Sequence, residues 1–249
     1  MVTLKIKKKP LHQLLVERQL AENRDKAQRL CMAGLVYVNG QKADKAGTLF
    51  RSDVSIDVRA VLPYVSRGGL KLEKALKHFA LQTEHAICLD VGASTGGFTD
   101  VLLQQGAAKV YAVDVGHGQL HYKLQHDERV INLEKTHVRL LTEAIIPEAI
   151  DALVIDTSFI SLTRVLPCAW PFLKPGGWCV ALIKPQFEIA AKYLDRGVVR
   201  DDEHRQSAIE RVTTMVEHEL DGATMIGLTE SPIHGPKGNV EYLLGLRCG

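Results

Sequence analysis

At 249 residues the chain has room for one sizeable α/β domain and a small companion. Its 46% hydrophobic and 24% charged residues fit a soluble globular protein, and no apolar run approaches the roughly 18 residues of a membrane helix. Cys31, Cys88, Cys168, Cys179 and Cys248 form no C-x-x-C pair, which argues against a disulfide framework or a zinc site and for a reducing, cytoplasmic setting.

The net charge of +2 is unevenly spread. Residues 1–62 carry 12 Lys+Arg against 6 Asp+Glu, and the remainder 19 against 23. A basic N-terminal segment suggests a polyanion, nucleic acid above all, against the plainer reading of a solvated tail. "MVTLKIKKKP" has lysines but no apolar stretch behind them, so it does not read as a secretory signal. "LHQLLVERQL" sets Leu11, Leu14, Leu15 and Val16 at helical spacing, and "NRDKAQRLCMAG" predicts a second helix closed by Gly34. "LVYVNG" and "DVSIDV" alternate as strands, the first ending in an Asn-Gly turn. Lys26, Arg29, Lys42 and Lys45 would decorate this module as RNA contacts. From Lys9 to Val58 this order of elements resembles the S4 RNA-binding domain; the alternative is a dimerisation or folding appendage.

"RAVLPYVSRGG" reads as a connector, because Pro63 interrupts regular structure and Gly68-Gly69 permit a turn. The expected boundaries are 1–60, 61–69 and 70–249. Beyond it, helices at Leu70–Phe79 and Glu203–Glu219 alternate with short apolar strands. The strands are predicted at Ala86–Val91, Lys109–Asp114, Val130–Leu133, Leu153–Asp156, Trp178–Lys184, Thr224–Thr229 and Val240–Leu246. Such alternation predicts a doubly wound, mostly parallel α/β sheet, its last strand antiparallel.

The loop "DVGASTGGFTD" follows the first of these strands, where doubly wound sheets bind ligands. Its spacing is neither G-x-G-x-x-G nor a P-loop, and Phe98 stands where a P-loop carries lysine. S-adenosylmethionine suits it better than a dinucleotide, since glycine lets backbone approach the methionyl and ribose portions. Asp90, Gly92, Ala93, Ser94, Gly96, Gly97 and Phe98 are therefore the expected cofactor-binding residues. Asp114, at the tip of the next strand, is placed to accept from ribose hydroxyls, a role that NAD would share. Glu134 would lie near the adenine.

Asp156 ends the fourth strand in "DTSF", which lacks the Asn/Asp-Pro-Pro-aromatic signature of many enzymes that methylate base nitrogens. A ribose hydroxyl is the other acceptor, and it needs a base and nearby positive charge. Lys71 in "GGLKLEKAL", Lys184 in "ALIKPQF" and Glu241 in "GPKGNVEYLL" provide candidates at strand and helix ends of one sheet. A lysine that closes an apolar strand is suggestive, because burial or a second cation makes an amine easier to deprotonate.

With "YVSRGGLKLEKAL", "VYAVDVGHGQL", "LKPGG", "GVVRD" and the segments above in order, the chain resembles the TlyA/hemolysin A family, S4-domain proteins with an FtsJ-like ribosomal RNA 2′-O-methyltransferase core. The resemblance implies a Lys-Asp-Lys-Glu tetrad at Lys71, Asp156, Lys184 and Glu241, S-adenosylmethionine as cofactor with Asp156 near it, no metal, and ribosomal RNA or ribosomal subunits as partner, typically at cytidine ribose. Lys184 would take the hydroxyl proton, Asp156 orient it, Lys71 stabilise the oxyanion and Glu241 fix a lysine; the two lysines could exchange roles. His117 and "EKTH" depart from the family pattern beside the cofactor site, and His137 is left unassigned. A ribosome-assembly factor with a silent core, an NAD-dependent oxidoreductase and a cytolysin are the competing readings. The last lacks any spanning segment or train of barrel strands.

Overall fold

A computed structural model describes residues 7–59 and 62–249. The first six residues of the lysine-rich start, together with Ala60 and Val61 at the expected boundary and connector, lie outside that description. The chain divides into two compact units, Met1–Pro63 and Tyr64–Gly249.

In the first unit, β1 (Lys8–Pro10), α1 (Leu11–Glu17), α2 (Arg24–Met32), β2 (Val36–Val38), β3 (Gln41–Lys42), β4 (Leu49–Arg51) and β5 (Ile56–Val58) follow one another. Asn23 caps α2 by accepting from Lys26 N at 2.9 Å, satisfying one of the amides a helix start leaves open. β2 and β3 pair across Asn39 and Gly40, both left-handed at φ 50° and 80°, the geometry a two-residue hairpin requires. β5 pairs with the other edge of β2, and β1 with β4 forms a second, two-stranded sheet. Leu11, Leu15, Ala27, Cys31, Val36 and Val38 make the small core.

The second unit runs α3 (Gly69–His78), β6 (Ile87–Val91), α4 (Gly97–Gln104), β7 (Lys109–Val113), α5 (Tyr122–Gln125), β8 (Val130–Leu133), β9 (Ile150–Ile155), α6 (Leu162–Ala169), β10 (Leu173–Ile183), α7 (Pro185–Glu188), α8 (Asp202–Glu219), β11 (Ala223–Glu230) and β12 (Tyr242–Cys248). The seven strands lie in the order β11-β12-β10-β9-β6-β7-β8, and β12 alone runs against its two neighbours. The mostly parallel sheet with an antiparallel final strand is thus as the alternation predicts. Residues such as Leu89, Val91, Leu153 and Ile155 are buried because helices cover both faces: α3, α4 and α5 on one, α6 and α8 on the other. Tyr64 is buried in this unit, and a Cβ on Gly69 would meet its ring at 2.5 Å. Tyr64–Gly69, expected as connector, are therefore packed structure. Among the described residues no helix is long and apolar enough to cross a membrane, and no cluster of His, Cys, Asp and Glu could hold a metal ion.

Between β6 and β9 the winding direction reverses, which opens a crevice at their carboxyl ends. Gly92 follows β6 and Asp156 follows β9; Asp156 N donates to Val91 O at 3.0 Å.

Candidate active site

Four charged side chains converge beside that crevice. Lys71 sits in the first turn of α3, Asp156 just past β9, Lys184 just past β10 and Glu241 just before β12. The last strand begins two residues later than expected, so Glu241 precedes it instead of lying within it. Lys71 Nζ is 2.7 Å from Glu241 Oε2 and 3.4 Å from Asp156 Oδ2. Lys184 Nζ is 2.6 Å from Asp156 Oδ1 and donates to Ser158 Oγ at 3.0 Å. The result is a chain, Lys184–Asp156–Lys71–Glu241, in which the carboxylates alternate with the amines.

The backbone makes room for this chain. A Cβ on Gly235 would stand 2.1 Å from Glu241 Oε1. A Cβ on Gly97 would stand 2.3 Å from Ser66 Oγ and 2.9 Å from Gly69 N, so glycine lets the starts of α3 and α4 meet. Asp100 of α4 accepts from Val65 N at 2.8 Å and ties down the segment leading into α3. Lys71, Lys184 and Glu241 are 7%, 6% and 1% exposed. Desolvating such ions costs several kcal/mol each and pairing rarely returns a surplus, so function is a better reason than stability for the cluster.

Beside the tetrad lies a cavity of about 370 Å³ lined by Gly92, Ser94, Asp114, Gln119, His137 and Asp156, with Val113, Val138 and Ile160 as apolar wall. A smaller one of about 230 Å³ holds Lys71, Asp156, Lys184 and Glu241 with Ser66, Ala93, Ser94, Gly97 and Phe98. Gly92, Ser94, Asp156 and Ser158 line both. A Cβ on Gly92 would stand 2.7 Å from Asp156 O, and its φ of 87° favours glycine independently. Asp114 accepts from Ser94 N at 2.8 Å and Gly116 N at 2.7 Å, one bond to each oxygen. Each oxygen keeps a lone pair for a sugar hydroxyl. A half-buried carboxylate, bare glycine backbone and an apolar wall are a donor set that fits S-adenosylmethionine.

Three expected cofactor contacts line neither cavity. Asp90 is fully buried beneath the loop and accepts from Thr99 Oγ1 at 2.7 Å. Burial, with help from the nearby Asp156 and Asp114 charges, pushes its carboxyl up to about 7 against the bond from Thr99. Gly96 caps α4 at φ 90°, and a Cβ there would strike Leu124 at 2.2 Å, so its role is packing. Glu134 accepts from Gly118 N and faces His117 Nδ1, both at 2.9 Å. Gly118 N–H, then His117, hold its carboxyl down at about 2. Conversely Ser66, Gln119, His137 and Ser158 line the cavities without having been expected there. Phe159 also lines the larger one; it is 91% exposed at φ 65°, its ring 5.3 Å from that of Phe187.

In the first unit Lys26, Arg29, Lys42 and Lys45 are exposed. Lys26 and Arg29, three apart on α2, share a face. Lys42 lies across the end of α2, where a Cβ on Gly34 would meet its Cε at 2.2 Å.

Comparison with known proteins agrees with the two-unit fold. Residues 64–248 match the FtsJ-like methyltransferase family and residues 9–54 the S4 domain. The chain is 47% identical over 243 residues to YqxC of Bacillus subtilis, provisionally named an rRNA methyltransferase, covering 96% of this chain and 86% of that one. It is 43% identical over 236 residues to the 16S/23S rRNA (cytidine-2′-O)-methyltransferase TlyA of Mycobacterium tuberculosis, covering 94% and 87%. A solved structure from Streptococcus thermophilus, provisionally named a hemolysin, superposes with a TM-score of 0.74 at 42% identity, covering 98% of this chain and 89% of that one.

Proposed function

This chain belongs to the TlyA/hemolysin A family of S4-domain proteins with an FtsJ-like methyltransferase core, and from that membership we propose that it methylates the ribose 2′-oxygen of ribosomal RNA with S-adenosylmethionine. The convergence of Lys71, Asp156, Lys184 and Glu241 at the wall of a nucleoside-sized cavity carries the reading. Gly92, Ser94 and Asp114 would hold the donor, with Val113, Val138 and Ile160 against its adenine. When bound, that donor supplies an electrophilic methyl on a sulfonium.

The acceptor must lose a proton from a very weakly acidic hydroxyl. Lys71 touches two carboxylates, whereas Lys184 touches one carboxylate and the neutral Ser158 hydroxyl. Lys71 is thereby the more firmly held cation and stabilises charge on the nucleophilic oxygen. Lys184, with the fewer charged partners, is the proposed acceptor of the proton from the 2′-hydroxyl. Asp156, between the amines, aims both; Glu241 fixes Lys71. The first unit grips RNA through Lys26, Arg29, Lys42 and Lys45, which meet phosphates and position without specifying. The target nucleotide leaves its stack to reach the core. Cytidine in ribosomal RNA is the acceptor named for the Mycobacterium tuberculosis relative, and the cytoplasm is the matching compartment.

The test is Lys184→Ala, scored for radiolabelled methyl transfer to ribosomal RNA and, by calorimetry, for donor affinity. Transfer is expected to vanish while donor affinity stays. Near-normal turnover removes Lys184 from the chemistry.

A further inference from the structure

Glu188 ends α7, the short helix that starts one residue after Lys184, and it is 2% exposed. Its carboxylate accepts from Ser161 Oγ at 2.6 Å and from Leu162 N at 2.7 Å, one bond to each oxygen. Ser161 is the N-cap of α6 and closes the segment that opens at Asp156 and carries Ser158 and Phe159. The backbone of Glu188 is held as well, its carbonyl accepting from Arg211 Nη1 of α8 at 2.8 Å. One side chain thus bolts together two segments, four residues beyond Lys184 on one and five beyond Asp156 on the other. The Phe159–Phe187 ring contact spans the same junction.

We infer that Glu188 is a positioning residue for methyl transfer: it sets the separation of Lys184 and Asp156 by clamping the segments that present them. The inference rests on the reading of that pair as reaction machinery. Lysine has a flexible four-carbon stem and about 2 kcal/mol of rotamer entropy to lose, so Lys184 cannot by itself hold the segments in register. A buried carboxylate with both oxygens bonded can, since two directional bonds to one planar group fix both segments against it. Burial is costly for a carboxylate; ordinary packing at this position would be met by an apolar side chain without that cost. Burial pushes the Glu188 carboxyl up, while Ser161, Leu162 N–H and Arg211 draw it back down.

Length, more than charge, is the property the clamp requires. Glu188→Gln keeps the reach and shape; Glu188→Asp keeps the charge but falls short by about 1.5 Å, one carbon–carbon bond. A misplacement of about 1 Å costs about 100-fold in rate, so kcat should fall by that order in Glu188→Asp and far less in Glu188→Gln, with donor affinity and the KM for RNA unchanged in both. Amide exchange at Leu162 in ligand-free protein should accelerate in the Asp variant and not in the Gln variant. Full kcat in a folded Asp variant, the reverse order of the two variants, or a loss expressed only as weaker donor binding overturns the inference. If Glu188→Asp does not fold, Ser161→Ala replaces it: lower kcat at unchanged donor affinity supports the clamp, and unchanged kcat overturns it. An inactive wild-type protein would instead overturn the proposed function itself.

Discussion

Replacing Asp90 by Asn should remove a pH dependence from folding. The Asp90 carboxyl stands near 7 in the fold and at 3.8 in the unfolded chain, chiefly because it is fully buried. A raised carboxyl favours the fold only while protonated, so the stability it contributes is complete below about pH 4 and is lost as pH rises through 7. At about 1.4 kcal/mol per pH unit the whole loss is about 4 kcal/mol, of which about 3 kcal/mol falls between pH 5 and 8. Asn keeps an acceptor for Thr99 Oγ1 and has nothing to ionise. Both tryptophans, Trp170 and Trp178, belong to the second unit, so their fluorescence during urea unfolding reports on the sheet that contains Asp90. Measured every half unit from pH 5 to 8, the stability of Asp90→Asn relative to wild type should climb by about 3 kcal/mol. Two parallel profiles would refute the argument, since they would mean that the buried group ionises in the fold as easily as in the unfolded chain.

Two glycines separate strain from collision. Gly92→Ala combines a left-handed φ with an approach of 2.7 Å to Asp156 O, so donor affinity should fall more than about tenfold, read by calorimetry, at a stability cost of about 1–3 kcal/mol. Gly118→Ala, at φ 64° with nothing within 4 Å, should cost only the backbone strain and leave donor binding intact. For RNA, removing Lys26 and Arg29 together should lower the slope of log affinity against log salt by about 1 for each phosphate they neutralise, measured by filter binding across a salt series. An unchanged slope would take these two residues off the RNA.

The sheet is legible in the sequence because a strand covered on both faces is mostly apolar, as Ile87–Val91 is despite Asp90; Asp151 hides the start of Ile150–Ile155, which the pattern predicts only from Leu153. The run around Asp90 hides what that residue does in the fold. A lone carboxylate next to a glycine loop looks like a ligand contact, and nothing in the run reveals that Thr99, nine residues on, waits beneath it. Gly92 and Gly96 are indistinguishable as letters; one faces the cavity, and the other is a helix cap made obligatory by Leu124 from a different helix. β1 and β4 escape prediction because Lys8–Pro10 and Leu49–Arg51 lack the alternating apolar run that marks β2 and β5 in "LVYVNG" and "DVSIDV". Lys71, Asp156, Lys184 and Glu241 are visible as charges at the ends of elements, but the pairing order among them depends on strand order, which pattern alone does not give. Glu188 carries no signal at all, since its partners lie 26 and 27 residues away on another segment.

The placement of β12 ties assembly to competence. This strand, the last of the sheet in chain order, fills a slot between β10 and β11, and Glu241 enters with it. A chain cut before that point would expose two unpaired strand edges and leave Lys71 without its nearest counterion. Partly synthesised or clipped copies would thereby be sticky and, on the role proposed for Glu241, inert.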